Sequence, residues 1–259
     1  MQTDSASPGG AKRLPAPRWK AAGVHLLVGL ASGGLALGAM LAQWYPWPLL
    51  LADGRALLPA AAVLLAVVLG PLAALFLSQG RPNRWRFDLL VIAILQVAVF
   101  AYGLKAVYEE RPAYLVFTID RFDLVAASDL DPSDLAKTTR AEFAELPQGP
   151  PAYIAAVMPK EVELQQRVVF SSLGGKDLNL YPQHYVSYAE ELPNVLKRAQ
   201  GLGLLLERDA AAVGRYLDAS GRRLDSVRFL PLRARGVDGV VLLDAVSGAP
   251  LTILLIEPW

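Results

Sequence analysis

Histidine, cysteine and paired carboxylates are the side chains from which metal sites and acid–base catalysts are most often built, and this chain of 259 residues holds few of them. It has two histidines, His25 and His184, and no cysteine, so a zinc site of Cys and His ligands cannot be assembled. His184 stands beside Tyr181 and Tyr185, and we expect it to be an ordinary surface or core histidine. The sequence therefore predicts no metal site.

One acidic pair invites an acid–base interpretation. Asp120 and Asp123 flank Arg121 and Phe122. In a strand, two residues three positions apart point to opposite faces of the sheet, which is unsuitable for shared proton transfer. We expect local charge pairing with Arg121 instead.

The glycine-rich and serine-containing segments also lack the neighbouring residues that phosphate-binding, dinucleotide-binding or catalytic serine motifs require. SSLGGKDL places Asp177 where a phosphate-binding loop requires Ser or Thr, and GLGLLLE lacks the third glycine of a dinucleotide-binding turn. No G-x-S-x-G motif surrounds Ser171, Ser172 or Ser187. The sequence thus predicts no enzyme and no cofactor.

The elements that would position any site are strongly apolar. Hydrophobic residues make up 54% of the chain, and residues 21–52, 56–80 and 89–104 carry no charge. A span needs roughly 20 helical residues, so we predict transmembrane helices at about 21–43, 57–77 and 87–107. The first has a basic leader like that of a signal peptide, but its apolar stretch exceeds the roughly 7–15 residues of a signal core. The segment WYPWPLLLADGR (44–55) is typical of a membrane interface and a tight turn.

Charge sets the expected orientation and domain organisation. Arg55 is the one basic residue between the first two predicted spans, whereas seven others precede the first span or separate the second from the third, namely Lys12, Arg13, Arg18, Lys20, Arg81, Arg84 and Arg86. Positive flanks remain in the cytoplasm, so we predict a disordered cytoplasmic leader (1–17), a three-helix membrane domain (18–111) and a periplasmic domain (112–259). The last holds fifteen Lys and Arg against nineteen Asp and Glu, which disfavours nucleic-acid binding.

The interior of the predicted spans carries few polar groups. Ionisable residues near the midplane mark transport pathways, and none is expected here, which argues against a transporter. Gln96, near the centre of the third span, is predicted to form an interhelical hydrogen bond or to recognise a foreign helix. Gly29 and Gly33 have the spacing that permits close approach of two helices.

The C-terminal half has the pattern of an α+β domain. The closing segments VRFLPLRAR, GVVLLDA and PLTILLIE predict an antiparallel three-stranded meander. The predicted fold class is three transmembrane helices followed by an α+β domain with an antiparallel sheet. Further elements are expected as strands at 114–119 and 153–159 and as helices at about 131–143, 160–170, 193–200 and 206–219. Asp131 is expected to cap the first of these helices. Ser187 and Glu190 have capping-box spacing, but Pro193 is expected to interrupt a long helix there.

An ordered set of segments resembles the type IV pilin accessory proteins of the TfpX/TfpZ family. A departure is Ala73–Ala74, where family members commonly carry Thr. The segments that carry the resemblance are RWKAAGVHLL (18–27), QWYPWPL (43–49), VLGPLAALF (68–76), FDLLVIAILQ (87–96) and YGLKAVYEERPAYLVFTIDRF (102–122).

The resemblance implies an inner-membrane protein that acts with one major pilin and assists surface piliation or adjusts pilus dynamics. The lipid bilayer and the pilin are the implied partners, with the pilus assembly machinery as a further one. We hypothesise that Gly29, Gly33 and Gln96 contact the pilin helix. The segment from Arg111 to Phe122, with Asp120 and Arg121, would position the domain against the pilin head.

Two alternatives remain open at this point. One is a membrane-anchored periplasmic sensor or regulator whose Arg81–Arg86 loop contacts an assembly ATPase or platform protein. The other is an enzyme that modifies pilin, which would require a periplasmic acid or nucleophile that the sequence does not display.

Overall fold

The structure is a computed structural model that describes residues 16–55, 57, 60–61, 64–65, 67–68, 70 and 85–259. The chain forms two compact units. One comprises Met1–Ala36 and Ala61–Gly103, and the other comprises Leu37–Ala60 and Leu104–Trp259.

Two long apolar helices dominate the N-terminal half. They are α1 (Ala16–Trp44) and α3 (Trp85–Glu109), with a short helix α2 (Leu49–Asp53) between them. The parts Leu26–Trp44 and Leu90–Glu109 are long and apolar enough to cross a membrane, by length and composition. The first and third predicted spans lie inside these two helices.

The prediction of three membrane-spanning helices is wrong, because the described residues contain two helices of the required length and apolarity. The second predicted span, 57–77, lies mostly outside the described residues. The residues of this segment that the structure describes, 57, 60–61, 64–65, 67–68 and 70, are helical.

The second unit contains an eight-stranded sheet. The strand order is β4-β3-β1-β2-β6-β7-β8, with β5 paired to β6. The strands are β1 (Pro112–Phe117), β2 (Phe122–Ala126), β3 (Ala152–Ala156), β4 (Tyr185–Ser187), β5 (Gln200–Gly201), β6 (Val227–Arg233), β7 (Gly239–Asp244) and β8 (Pro250–Leu254). The helices are α4 (Pro132–Leu135), α5 (Val162–Leu173), α6 (Tyr188–Arg198) and α7 (Gly203–Ser220).

The sheet is mixed, so the prediction of an antiparallel sheet is also wrong. Strand β1 runs parallel to β3, and β2 runs parallel to β6. The physical reason is that the sheet is covered on both faces, the environment in which parallel pairs are found. Along β1, Leu115 and Phe117 join one apolar cluster while Tyr114 and Val116 join another. The meander β6-β7-β8 is antiparallel, as its spacing predicted.

Helix α2 is part of the core of this domain. Leu49 and Ala52 are buried in the same apolar cluster as Leu115 and Phe122. The backbone N–H of Gly236 donates to the carbonyl of Ala52 at 2.8 Å. The segment WYPWPLLLADGR therefore does more than turn at an interface, since it inserts a helix into the sheet domain.

In this domain, local sequence signals indicate where helices begin more reliably than they indicate how long the helices are. Asp131 caps α4 by accepting from the N–H of Ser133, as expected, but the helix ends at Leu135 rather than near residue 143. Ser187 and Glu190 form the expected capping box at the start of α6. Pro193 was expected to interrupt that helix, yet α6 continues through it to Arg198.

Candidate functional site

The residues expected to contact a pilin helix lie in the first unit, where they surround Val67. A Cβ atom added at Gly29 or Gly33 would lie 3.1 Å from a methyl group of Val67. The side-chain amide of Gln96 donates to the carbonyl of Val67 at 3.2 Å. The close approach that the two glycines permit is thus used for packing inside this unit.

A cavity of about 180 Å³ lies beside these contacts in the first unit. Ser32 and Gln96 supply polar groups to its lining, and Val28, Val97 and Phe100 are among its apolar walls. The hydroxyl of Ser32 donates to the carbonyl of Val28 at 2.8 Å, as is usual for serine in a helix. The cavity is the size of a side chain and is lined by helices that could lie in lipid.

Two of the residues expected to face a pilin head are buried in the second unit. The guanidinium of Arg111 lies 3.9 Å from the centroid of the Tyr108 ring and donates to the carbonyl of Tyr108 at 2.8 Å. Phe122 is wholly buried, with its ring packed against those of Phe117 and Tyr153. Both side chains therefore hold the domain together.

The other two predicted contacts, Asp120 and Arg121, lie in the turn between β1 and β2. The side chain of Asp120 is 57% exposed and that of Arg121 is 25% exposed. Their charged groups are 3.6 Å apart. This turn is the part of the predicted head-contact segment that a partner could reach.

A buried carboxylate lies directly behind this turn. Asp123 accepts from the Nε atoms of Arg121 at 3.3 Å and of Arg233 at 2.6 Å, and from the hydroxyl of Thr118 at 3.1 Å. Asp177 accepts from both arginines, at 3.5 and 3.3 Å. Burial raises the pKa of Asp123, and the two guanidinium groups act in the opposite direction. We call these four charged residues the Asp123 cluster.

One half of this cluster could be predicted from the sequence. The pairing of Asp123 with Arg121 is confirmed. Arg233 was missed because it lies 110 positions away. The parallel register of β2 and β6 places it opposite Asp123. The arrangement fixes the turn between β1 and β2.

A second charged cluster joins four separate parts of the chain. Arg55, just after α2, contacts Asp129 at 2.7 Å, Glu110 at 3.3 Å and Asp53 at 3.4 Å. Arg235 binds the other carboxylate oxygen of Asp129 at 2.9 Å. We call these five residues the junction cluster.

The junction cluster contains buried side chains, and its three carboxylates outnumber its two guanidinium groups. The side chain of Asp53 is 2% exposed and that of Arg55 is 11% exposed. Burial raises the pKa of Asp53 to about 6, and Arg55 opposes this. Oδ2 of Asp53 has no hydrogen-bond partner among the described residues. Sequence analysis used Arg55 only as a topology marker, because no local pattern connects residues so distant in the chain.

Metal binding receives no support from these clusters. Within the described ranges, no group of three or more His, Asp or Glu residues could hold a metal ion. The chemistry available in both clusters is ion pairing and hydrogen bonding, which position elements of the domain.

The chain is similar in sequence to fimbrial assembly proteins. The chain is 28% identical over 232 residues to the serogroup I fimbrial assembly protein of Dichelobacter nodosus, covering 87% of this chain and 90% of that protein. The serogroup E1 protein of the same organism is 26% identical with the same coverage. The protein of serogroups C1 and C2 is 30% identical over 113 residues, 86% of its own length and 43% of this chain. The chain belongs to the family of fimbrial assembly proteins.

The family assignment refines the resemblance noted in the sequence. These relatives support membership of a fimbrial family. They do not show that the chain belongs to the TfpX/TfpZ group in particular. No protein-family profile and no solved structure matches the chain.

Three of the basic residues used to predict orientation lie at the N-terminal ends of the apolar helices. Arg18 and Lys20 belong to the first two turns of α1, and Arg86 belongs to the first turn of α3. The remaining four residues, Lys12, Arg13, Arg81 and Arg84, lie outside the described residues.

Proposed function

We propose that this protein is an accessory protein of type IV fimbrial biogenesis that binds the cognate pilin and assists its assembly or the dynamics of the pilus. The observation that carries the proposal is the similarity to fimbrial assembly proteins over about nine-tenths of their length. The serogroup-specific names of those relatives fit a protein matched to one fimbrial subunit.

The second unit supports the proposal because it holds the ends of both apolar helices together with the sheet. The indole N–H of Trp44 donates to the carbonyl of Gln148 at 2.8 Å. The hydroxyl of Tyr45 donates to the carbonyl of Glu110 at 3.0 Å. A protein with apolar helices and a directly attached domain can contact the apolar helix and the head of a membrane-held subunit, and linked contacts raise affinity through effective concentration.

We further propose an inner-membrane location with the sheet domain in the periplasm. Arg18 and Lys20 lie at the N-terminal end of α1, which favours a cytoplasmic position for that end. An alkaline phosphatase fusion after Trp259 should be active, since the enzyme requires export, and a fusion before Lys12 should be inactive. The opposite pattern would contradict this orientation.

Within the membrane, we propose that the pilin helix docks beside Gln96. The cavity of about 180 Å³ in the first unit supports this, because a polar amide and a serine hydroxyl lie in otherwise apolar walls. Interhelical hydrogen bonds in lipid stabilise association by roughly 0.6–2 kcal/mol. The Gln96→Leu variant should reduce the amount of pilin co-isolated with the protein, whereas Tyr102→Leu, at an exposed position of the same helix, should not.

The experiment that tests the function is a deletion strain in which surface pili and total cellular pilin are both measured. Loss of surface pili with pilin still in the membrane would support a role in subunit delivery or assembly. Loss of the pilin itself would indicate stabilisation of the subunit. Unchanged piliation and unchanged pilus dynamics would refute the proposal.

The proposal contains no chemical step on pilin. The mass of pilin should therefore be identical in strains with and without this protein, apart from any difference in amount. A mass difference restored by complementation would show that the protein takes part in a modification.

A further inference from the structure

A cleft of about 250 Å³ opens at the carboxyl ends of two strands of the sheet domain. Strands β1 and β3 are parallel, so the residues that follow them meet at one edge of the sheet. Phe117, Ala156 and Leu178 are buried where they line this cleft, whereas Ile119 and Val157 are 60% and 38% exposed. We call it the β1–β3 cleft.

One face of α6 forms the polar side of the cleft. Glu191, Asn194, Lys197 and Arg198 line it at helical spacing. The carboxylate of Glu191 accepts from the amide of Asn194 at 2.7 Å, so part of its charge is already hydrogen-bonded.

The two basic residues of this face stand out from their surroundings. Lys197 and Arg198 form no ion pair among the residues that the structure describes. Residues 112–259 nevertheless contain nineteen acidic residues against fifteen basic ones. The cleft therefore carries two positive charges and one negative charge next to exposed apolar side chains, and this excess of positive charge is complementary to an acidic residue beside an apolar one.

The size of the cleft distinguishes between classes of occupant. Sites for small molecules usually enclose about 300–1,000 Å³, which is more than this cleft provides. A single anchoring side chain in a pocket is the common arrangement at protein interfaces. The volume therefore favours a protein partner over a small ligand.

The wall of the cleft that carries Ile119 is held in a fixed position. The hydroxyl of Thr118 donates to Asp123, and Arg121 binds both Asp123 and Asp177. The Asp123 cluster thus fixes the turn between β1 and β2 before any partner arrives. A preformed surface loses less conformational entropy on binding.

We propose that the β1–β3 cleft binds a loop of the pilin globular domain, which inserts an apolar side chain next to Ile119 and places an Asp or Glu beside Lys197 and Arg198. This inference rests on the proposed function, and it names the surface of the sheet domain that would contact the subunit.

The test uses the full-length protein in piliated cells, with a photo-crosslinking amino acid at position 119. A crosslinker at position 246 is the matched control, because Val246 is 88% exposed and does not line the cleft. We expect a crosslink to pilin from position 119 and none from position 246. Equal crosslinks from both positions would overturn the inference.

Charge reversal provides the second measurement. The double variant Lys197→Glu, Arg198→Glu should reduce the crosslink from position 119 by roughly tenfold or more, since like charges that face each other across an interface are strongly unfavourable. Arg215→Glu is the control, at an exposed position of α7. A crosslink of unchanged strength in the double variant would overturn the inference. Immunoblots establish that each variant is present in the membrane at equal amounts, and the single variant Lys197→Glu, at an exposed position, replaces the double variant if its amount falls.

The experiments give different results if only the cleft proposal is wrong and if the proposed function itself is wrong. If pilin is co-isolated with the protein but is not crosslinked from position 119, the subunit binds elsewhere and only the cleft is refuted. If pilin is neither co-isolated nor crosslinked in a piliated strain, pilin binding itself is refuted.

Discussion

The Nη2 atom of Arg55 lies 2.7 Å from Oδ2 of Asp129, which is 74 positions later in the chain. The same guanidinium contacts Glu110, the residue that follows α3. One side chain therefore connects the segment after α2, the end of an apolar helix and the turn after β2.

Replacement of Arg55 by Ala should lower the free energy of unfolding by about 3–5 kcal/mol, because it leaves buried carboxylates without their counter-charge. Thermal or denaturant unfolding of the detergent-purified protein measures this. Arg215→Ala removes an exposed arginine and should change stability by less than about 0.5 kcal/mol. Similar losses in the two variants would show that the junction cluster adds nothing specific.

Replacement of Asp53 by Asn should change how stability depends on pH. Burial raises the pKa of Asp53 from 3.8 to about 6, so the folded protein binds more protons than the unfolded chain between these values. The contribution of Asp53 to the free energy of unfolding is fully present at low pH. It falls by on the order of 2–3 kcal/mol as the pH rises through about 6. The variant should lack this decline when unfolding is measured at a series of pH values from 4 to 7. A decline as steep as that of the unchanged protein would contradict the assignment to Asp53.

Replacement of Gly236 by Ala should weaken the attachment of α2 to the domain. A Cβ atom there would lie 2.8 Å from the carbonyl oxygen of Leu51 and 2.9 Å from that of Ala52, and backbone atoms cannot move aside cheaply. We expect a loss of about 1–3 kcal/mol in unfolding experiments. Gly214→Ala, in α7 with open space around it, should be neutral or stabilising. A loss in Gly214→Ala as large as in Gly236→Ala would argue against a steric cause.

Two adjacent glycines of α1 should respond differently to the same substitution. A side chain at Gly33 would meet Val67 and Phe100, whereas one at Gly34 would meet nothing within 4 Å. Gly33→Leu should therefore destabilise the protein by about 1–3 kcal/mol or more, and Gly34→Leu should not. The thermal midpoint in detergent and the amount of protein in membranes test this pair. Equal sensitivity at both positions would refute internal packing as the role of Gly33.

Features that depend on neighbouring residues could be predicted from the sequence. The capping box of Ser187 and Glu190, the cap at Asp131 and the meander β6-β7-β8 all rest on contacts between nearby positions. Pro193 shows the limit of that reasoning. The helix continues through it because Val195 is packed in the core, and tertiary packing outweighs a local preference.

Features that depend on distant pairings could not be predicted. The parallel pairs β1–β3 and β2–β6 join segments that are separated by whole helices, so the sheet was expected to be antiparallel. Phe122 was expected to face a partner because of its place in a resembling segment, yet the pairing of β2 with β6 buries it. Arg55 was interpreted from its position between apolar runs, whereas its role follows from Asp129 and Glu110.

The insertion of α2 into the sheet domain has a consequence for biosynthesis. The ribosome completes Leu49 and Ala52 before it begins α3, yet the apolar cluster that they join includes Val241 and Leu243 of β7. The apolar side of α2 therefore has no complete docking site until nearly the whole chain has been made. The nascent domain must fold around a helix that emerged long before it, and a fragment that begins at Pro112 starts without two side chains of its own core.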